Sequence, residues 1–293
     1  MAQPALFLGL KKKTIVNVAS VPQRSPFRYP GGKTWLVPRI RKWLSSLPAK
    51  PAEFIEPFAG GGIVSLTVAA EGLADHVTMV ELDEQVAAVW ETVIGGNAIW
   101  LGERICSFEL TDETLKEELA KTPVTISERA FQTILKNRTF RGGILAAGAA
   151  PLKAGENGKG IKSRWYPETL KKRLTEIDSI RERISFNQGD GIQTIRENAH
   201  QANSVFFIDP PYTAAGKRAG SRLYNHSELD HEKLFRLMST VNGDFLLTYD
   251  AADGAYELAR RYQFDTELVS MKNAHHAEMT ELLIGRNLNW ARN

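Results

Sequence analysis

The 293-residue sequence contains a single cysteine, Cys106, so an intramolecular disulfide is excluded. Such sparse cysteine usage favours a reducing compartment, and we expect the chain to be cytoplasmic. No apolar run approaches the roughly 20 residues that span a bilayer, so we expect no membrane partner. Internal repeats and long low-complexity stretches are also missing from the sequence. These absences leave a globular protein with one large core and room for an insertion.

Acidic residues are missing from the amino-terminal part of the chain. None precedes Glu53, whereas ten lysines and arginines do. A second basic block extends from Lys136 to Arg173 and contains only two acids, Glu156 and Glu168. Charge segregated in this way is typical of a surface that contacts a polyanion. Either basic block taken alone could instead form the solvated faces of helices.

Strand and helix patterns alternate over much of the sequence. The composition predicts six buried strands, over residues 53–58, 77–82, 184–187, 204–208, 245–249 and 281–284. Helical spacing predicts helices over 34–47, 63–71 and 83–93. This order is typical of a parallel sheet covered by helices, the α/β class.

The alternation is interrupted between about Gly95 and Arg183, where a helix opening at Pro167 has Leu170, Leu174, Ile177 and Ile184 on one side. We therefore predict a loosely organised arm over residues 1–24 and a catalytic domain formed by residues 25–94 and 184–293. The intervening residues 95–183 are predicted to form an inserted, basic domain.

A glycine turn follows the first predicted strand. Glycine lets the backbone turn tightly and approach a ligand, and nucleotide-like ligands bind at this position in open α/β sheets. The dinucleotide pattern is incomplete because Ser65 stands where a third glycine is needed, and the preceding residues suit a methyl donor better. Glu81, at the end of the second strand, could accept hydrogen bonds from ribose hydroxyls. The candidate residues of the turn are Glu56, Phe58, Ala59, Gly60, Gly61 and Gly62.

Another glycine turn lies upstream, in the segment from Arg28 to Thr34. Its Gly32-Lys33-Thr34 run suggests a nucleotide-phosphate loop, but Phe27 occupies the position where that loop requires glycine. We therefore interpret the turn as one that closes over the amino-acid end of a cofactor.

Asp209-Pro210-Pro211-Tyr212 directly follows the predicted strand 204–208, at the sheet edge where α/β proteins place their sites. The Asp209 carboxylate and the Pro210 carbonyl could both accept hydrogen bonds from an exocyclic base amine. Two prolines would hold that carbonyl rigidly, and Tyr212 offers a face on which an extruded base can stack. No metal site is predicted, because His231 lacks the second histidine of a zinc helix.

These motifs, in this order, resemble the Dam-like family of S-adenosylmethionine-dependent DNA adenine-N6 methyltransferases. The resemblance implies a Rossmann-like seven-stranded methyltransferase sheet with a mostly helical DNA-recognition insertion. It also implies site-specific methylation by base flipping and direct in-line transfer. The cofactor would be bound by Tyr29, Gly31, Gly32, Lys33, Glu81, Asp190, Asp209 and the turn at Gly60. Asp209 would also hold the target amine, and Tyr212 would stack on the base.

Within the insertion, the stretch from Asn137 to Gly143 resembles the DNA-contacting stretch of that family. The residues expected to bind double-stranded DNA are Asn137, Arg138, Arg141, Lys162 and Arg164. Three alternatives stay open: cytosine-N4 methylation of DNA, adenine methylation of ribosomal RNA, and a non-catalytic DNA-binding protein that retains the fold. The sequence also leaves open the recognition sequence, the oligomeric state and a restriction-modification role with a cognate nuclease as partner.

Overall fold

The computed structural model describes residues 20–29, 31–146, 148–155, 158–211, 229–272 and 278–292. Within these residues, seven strands form one sheet in the order β3-β2-β1-β4-β5-β7-β6. The strands are β1 (Glu53–Glu56), β2 (His76–Glu81), β3 (Ile184–Gln188), β4 (Ser204–Ile208), β5 (Asp244–Asp250), β6 (Asp265–Lys272) and β7 (Glu278–Gly285). Strands β1 to β5 are parallel, whereas β7 runs antiparallel to both β5 and β6. The predicted seven-stranded α/β sheet is confirmed.

The sequence patterns did not predict β6. Its residues, Asp265 to Lys272, include several polar side chains, and it lies at the edge of the sheet beside β7. An edge strand has one neighbour and needs no continuous apolar run, so it lacks the signal by which buried strands are recognised.

Helices cover the sheet and fill the interval between β2 and β3. The helices are α1 (Val37–Ser46), α2 (Ile63–Glu71), α3 (Glu84–Thr92), α4 (Ala98–Ser107), α5 (Asp112–Ala120), α6 (Ile126–Thr139), α7 (Pro167–Asp178), α8 (Gly191–Asn198), α9 (His231–Met238), α10 (Asp253–Arg261) and α11 (Asn289–Arg292). Ile184 was expected on the apolar side of the helix that begins at Pro167, and this was wrong. That helix ends at Asp178, and Ile184 is the first residue of β3.

Each face of the sheet packs against its own group of helices. Along β4, Val205 and Phe207 belong to the core that α1, α2 and α3 share with one face. Phe206 and Ile208 belong to the core that α8, α9 and α10 form on the other face. Side chains of a strand point alternately to opposite faces, which explains why this all-apolar strand is buried throughout.

The helical interval contacts the first of these cores. Helix α6 packs on α3, and α7 packs on α4. Two turns with a non-helical glycine connect these parts of the chain, Val93–Asn97 and Arg141–Gly143. Val21, expected in a loosely organised arm, is instead buried in the same core.

Among the described residues, no helix is long and apolar enough to cross a membrane.

Candidate active site

The turn after β1 is anchored by a buried acid, Glu56, which is 4% exposed. The backbone N–H of Ser65 donates to Glu56 Oε2 at 3.0 Å, and the Ser65 hydroxyl donates to the same oxygen. Burial raises the pKa of Glu56 to about 8, with the nearby Asp209 charge adding to the effect against the opposing Ser65 bonds. Glu56 is therefore mostly protonated at neutral pH, and it joins the end of β1 to the first turn of α2.

The glycines of this turn make room for aromatic side chains. Gly60 has a φ of 47°, and a β-carbon there would lie 2.6 Å from Tyr29 Cε1. A β-carbon on Gly61 would lie 2.8 Å from Tyr29 Cβ. Trp90 supports the turn from α3, because its indole N–H donates to the Gly60 carbonyl at 2.9 Å. The structure thus places Tyr29 against the turn at Gly60. Both Tyr29 and Gly60 were predicted to bind the cofactor.

Glu81, at the end of β2, faces the same turn. Its Oε2 accepts the Gly60 N–H at 2.8 Å, and its Oε1 accepts the Asp83 N–H at 2.9 Å. Burial raises the pKa of Glu81. Each carboxylate oxygen has two lone-pair sites, so these bonds leave capacity for further donors such as ribose hydroxyls. Asp190 is exposed and begins α8, where its Oδ1 accepts the Ile192 N–H at 2.8 Å.

The remaining residues of the two predicted turns lie near the carboxyl ends of β1 and β2. Ala59 is buried and donates its N–H to the Val80 carbonyl at 2.9 Å, whereas Phe58 is half-buried. Gly31 and Gly32 are exposed, and the Gly32 N–H closes the upstream turn on the Tyr29 carbonyl at 3.1 Å.

Asp209 immediately follows β4 and contacts a buried lysine. Lys33 Nζ lies 2.9 Å from Asp209 Oδ1 and 2.9 Å from Glu281 Oε1. The Thr248 hydroxyl, on β5, donates to Asp209 Oδ1 at 2.9 Å. The Asp209 side chain is 20% exposed, so it reaches the surface of the site, whereas that of Lys33 is only 6% exposed.

The charge of this cluster is set by the two carboxylates. Burial alone would lower the pKa of Lys33, but the charges of Asp209 and Glu281 outweigh it and raise that pKa. Lys33 is therefore a cation throughout the physiological range. Of the other residues in the predicted motif, Pro210 is buried and Pro211 half-buried, while Tyr212 lies outside the described residues.

Several contacts of the site were missed by the sequence reasoning. Ser65, Trp90 and Thr248 carry no motif of their own. Glu281 had a detectable signal, because it is an acid placed directly before the apolar run Leu282–Ile284. A charge directly before a buried apolar stretch requires a partner, and in the structure Glu281, within β7, pairs with Lys33.

Two residues predicted to bind DNA are buried. The side chain of Asn137 accepts the Arg28 N–H at 2.8 Å and donates to the carbonyls of Arg28 and Gly143 at 3.0 Å and 2.8 Å. The Arg138 guanidinium donates to the Pro26 carbonyl. A contact of either side chain with DNA stays a prediction. In the structure both hold the segment that leads into Tyr29.

Positive charge is concentrated around this segment. The pKa of Arg138 is lowered to about 9, mainly by burial and also by the charges of Arg173, Arg28 and Arg164. Arg173 donates to the Ser25 carbonyl at 2.9 Å. Of the other predicted DNA-binding residues, Arg141 and Lys162 are exposed and Arg164 is half-buried.

Comparison with known proteins identifies one family. The model of the D12 class N6 adenine-specific DNA methyltransferases matches residues 29–272. No curated protein matches the sequence. Among solved structures, a proposed RNA methyltransferase of Pyrococcus horikoshii, PH1948, is 9% identical with a TM-score of 0.43, and covers 92% of this chain and 93% of its own. The rRNA methyltransferase aviRa of Streptomyces viridochromogenes is 13% identical with a TM-score of 0.41, and covers 88% and 86%.

Proposed function

The chain belongs to the D12 class N6 adenine-specific DNA methyltransferase family, and from that premise we propose how it performs the reaction. It is an adenine-specific DNA methyltransferase. We propose that the methyl group comes from S-adenosylmethionine, that the target adenine is flipped out of double-stranded DNA, and that transfer to N6 is direct.

The observation that carries the proposal is the position of Asp209. It stands at the carboxyl end of β4, beside the glycine turn that follows β1, with Pro210 directly after it. An adenine N6 amine is a weak nucleophile because its lone pair is delocalised into the ring. The Asp209 carboxylate and the Pro210 carbonyl would accept hydrogen bonds from its two N–H groups, which favours a tetrahedral nitrogen with a localised lone pair. Fixed acceptors of this kind require little reorganisation during the reaction.

The donor chemistry of the site fits S-adenosylmethionine. Glu81 would accept hydrogen bonds from ribose hydroxyls, Asp190 would lie near the adenine, and Tyr29 and Lys33 would contact the methionine part. When bound, S-adenosylmethionine supplies a methyl group already activated on a sulfonium, so that direct in-line transfer requires no covalent enzyme intermediate. The negative charge that remains on Asp209 and Glu281 beside Lys33, together with the carboxyl group of Glu81, suits a positively charged donor.

The adenine must leave the duplex to reach Asp209, because a stacked and paired base is inaccessible to an active site of this kind. Tyr212, next to Pro211, is the residue that we propose stacks on the flipped base. Residues 95–183 would form the target-recognition part, and residues 25–94 with 184–293 the catalytic part. The exposed side chains of Arg141 and Lys162, with Arg164, support a phosphate contact by the insertion.

Replacement of Asp209 tests the proposal. We expect Asp209→Ala to reduce transfer of labelled methyl from S-adenosylmethionine to duplex DNA by about 100-fold or more, because one preorganised acceptor is lost. The fold should survive, since Lys33 keeps its contact with Glu281. Hydrolysis of the wild-type product to nucleosides should yield N6-methyladenine.

The matched control is Asp75→Ala. This change removes an exposed aspartate that directly precedes β2, at the amino ends of the parallel strands, and pairs with Lys50. It should methylate DNA at the wild-type rate. Full activity of the folded Asp209→Ala protein would remove Asp209 from the reaction and overturn the proposed mechanism.

A further inference from the structure

Glu281 is a buried acid whose position is set by the sheet. It lies on β7, opposite Asp250 of β5, with its side chain on the same face as Leu283. Thr248 pairs with Leu283 and shares this face, toward which the segment before α1 brings Lys33. The fold therefore gathers Glu281, Thr248 and Lys33 next to the residue that follows β4.

The contacts connect Glu281 to Asp209 through one ammonium group. Lys33 Nζ is equidistant, at 2.9 Å, from Glu281 Oε1 and Asp209 Oδ1. It also donates to the Gly31 carbonyl at 3.3 Å, within the upstream glycine turn. Lys33 is therefore held by Glu281 and by the Gly31 carbonyl in addition to its contact with Asp209.

The charges give this arrangement a consequence for Asp209. A lysine paired with Asp209 alone would neutralise that carboxylate and weaken it as a hydrogen-bond acceptor. Shared between two carboxylates, the ammonium leaves one negative charge on the cluster. The groups that face Asp209 from other elements, Glu56 and Tyr249, have pKa values raised by its charge, in addition to the larger effect of burial. Glu281 thus preserves the charge of Asp209 while Lys33 fixes the orientation of its carboxylate.

A purely structural ion pair is a poor explanation for a buried carboxylate at this position. The Glu281 side chain is 3% exposed, beside the apolar residues Leu282 and Leu283. Removing two charges from water usually costs about as much as their attraction returns, and apolar residues would fill such a space at least as well. An acid kept there is better explained by its effect on a neighbouring group.

We propose that Glu281 is a positioning residue for methyl transfer, which holds the Lys33 ammonium on Asp209 Oδ1 and so sets the orientation and charge of the carboxylate that binds the target amine. This inference rests on the proposed role of Asp209. It adds an acid that touches neither cofactor nor base.

The test is Glu281→Gln, which preserves shape and removes the charge, in the full-length protein with saturating S-adenosylmethionine and varied DNA concentration. We expect kcat to fall roughly tenfold to hundredfold, the scale on which misplaced catalytic groups reduce rates, with the KM for DNA unchanged. The loss should be confined to kcat, because Glu281 acts on Asp209 through Lys33 and touches neither cofactor nor base. A merely structural role would instead reduce the fraction of folded protein and leave the kcat of the folded fraction unchanged.

The matched control is Glu267→Gln on the neighbouring strand β6, where a partly buried glutamate pairs with Arg292. This control should keep the kcat and the KM of the wild type. A folded Glu281→Gln protein with wild-type kcat would overturn the proposal. If Asp209→Ala abolishes methylation in the same assays, that result would leave the proposed function standing.

A double variant keeps the test decisive if Glu281→Gln does not fold, since removing both charges leaves the cluster with the same single negative charge as in the wild type, on Asp209. We expect Lys33→Gln with Glu281→Gln to have the same kcat as Lys33→Gln alone, because both residues act through one contact. A further tenfold loss in the double variant, or a wild-type kcat for Lys33→Gln, would contradict the proposal.

Discussion

Glu56 is a residue whose sequence neighbours give little indication of its charge state. In a glycine-rich motif at the end of a strand, it was expected to belong to the cofactor site. Instead it is buried, accepts two bonds from Ser65, and has a pKa raised to about 8 by that burial. It acts as a neutral link between β1 and α2, whereas Asp190 is exposed and Glu81 and Asp209 are partly exposed.

The raised pKa of Glu56 predicts a pH-dependent stability. Its contribution is fully present below the unfolded pKa of about 4.5, and it is lost as pH rises toward about 8. Across this window the free energy of unfolding should fall by up to about 1.4 kcal/mol per pH unit from this group. Glu56→Gln mimics the protonated form and should remove that decline. Urea unfolding from pH 5 to 9 measures it, and equal slopes in both proteins would contradict the prediction.

Helix α6 connects the proposed recognition insertion to the proposed catalytic part. It begins with a capping box at Thr125 and packs on α3. Near its carboxyl end, Asn137 is fully buried and bonds to both backbone groups of Arg28. Arg28 precedes Tyr29, which packs on the glycine turn. The element therefore supports the proposed cofactor site from the side on which DNA is expected to bind.

Loss of the Asn137 amide should loosen this support. Asn137→Ala removes three hydrogen bonds and leaves Arg28 N–H and two carbonyls without their partner. We expect the free energy of unfolding to fall by about 2 kcal/mol or more and the dissociation constant for S-adenosylmethionine to rise. Chemical unfolding and calorimetric titration give the two values.

The control for this prediction is Asn242→Ala, which removes an exposed amide bonded to the His200 carbonyl beside the amino end of β5. It should change the free energy of unfolding by no more than about 0.5 kcal/mol. If Asn137→Ala binds the cofactor with wild-type affinity, the support from α6 has no bearing on the cofactor site.

At the scale of the whole molecule, charge is distributed so that a near-neutral protein can still bind a polyanion. The net charge is only +3, yet the segment before Tyr29 and the insertion bring several arginines close to one another. Their mutual repulsion is apparent in the lowered pKa of Arg138, to which burial contributes most. A phosphate backbone would relieve that repulsion, and Arg141 and Lys162 add exposed cations close in sequence to Arg138 and Arg164.

Neutralising the exposed cations should change the salt dependence of DNA binding. For the double variant Arg141→Gln with Lys162→Gln, we expect the slope of log K against log salt to become shallower by about 2, roughly one unit per lost phosphate contact. Cofactor affinity should stay unchanged. The slope is obtained from binding constants measured at salt concentrations between about 50 and about 200 mM.

Lys50→Gln is the control for charge alone, because Lys50 is exposed and pairs with Asp75 away from the insertion. Its slope should equal that of the wild type. An unchanged slope in the double variant would show that Arg141 and Lys162 do not contact phosphate.

The sequence by itself determined the local structure of this protein. The strand ending at Ile208, the glycine turn at Gly60 and the helix from Ile63 to Glu71 lie where they were predicted. Alternation, turn residues and helix ends are local signals, read within a few positions of one another. The order of the motifs also indicated the family, which the match over residues 29–272 confirms. Within the described residues, the edge strand β6 lacked such a signal, and helices such as α6 and α9 were not predicted either.

The tertiary structure decided which of these residues meet and in what charge state. Lys33, Asp209 and Glu281 come from separate parts of the chain and converge only because β4, β5 and β7 are neighbours in the sheet. The burial of Asn137 likewise depends on how α6 packs. Desolvation and contacts between distant segments arise only when the chain is folded. Residue type and spacing therefore indicate the chemistry available, and packing determines which groups carry it out.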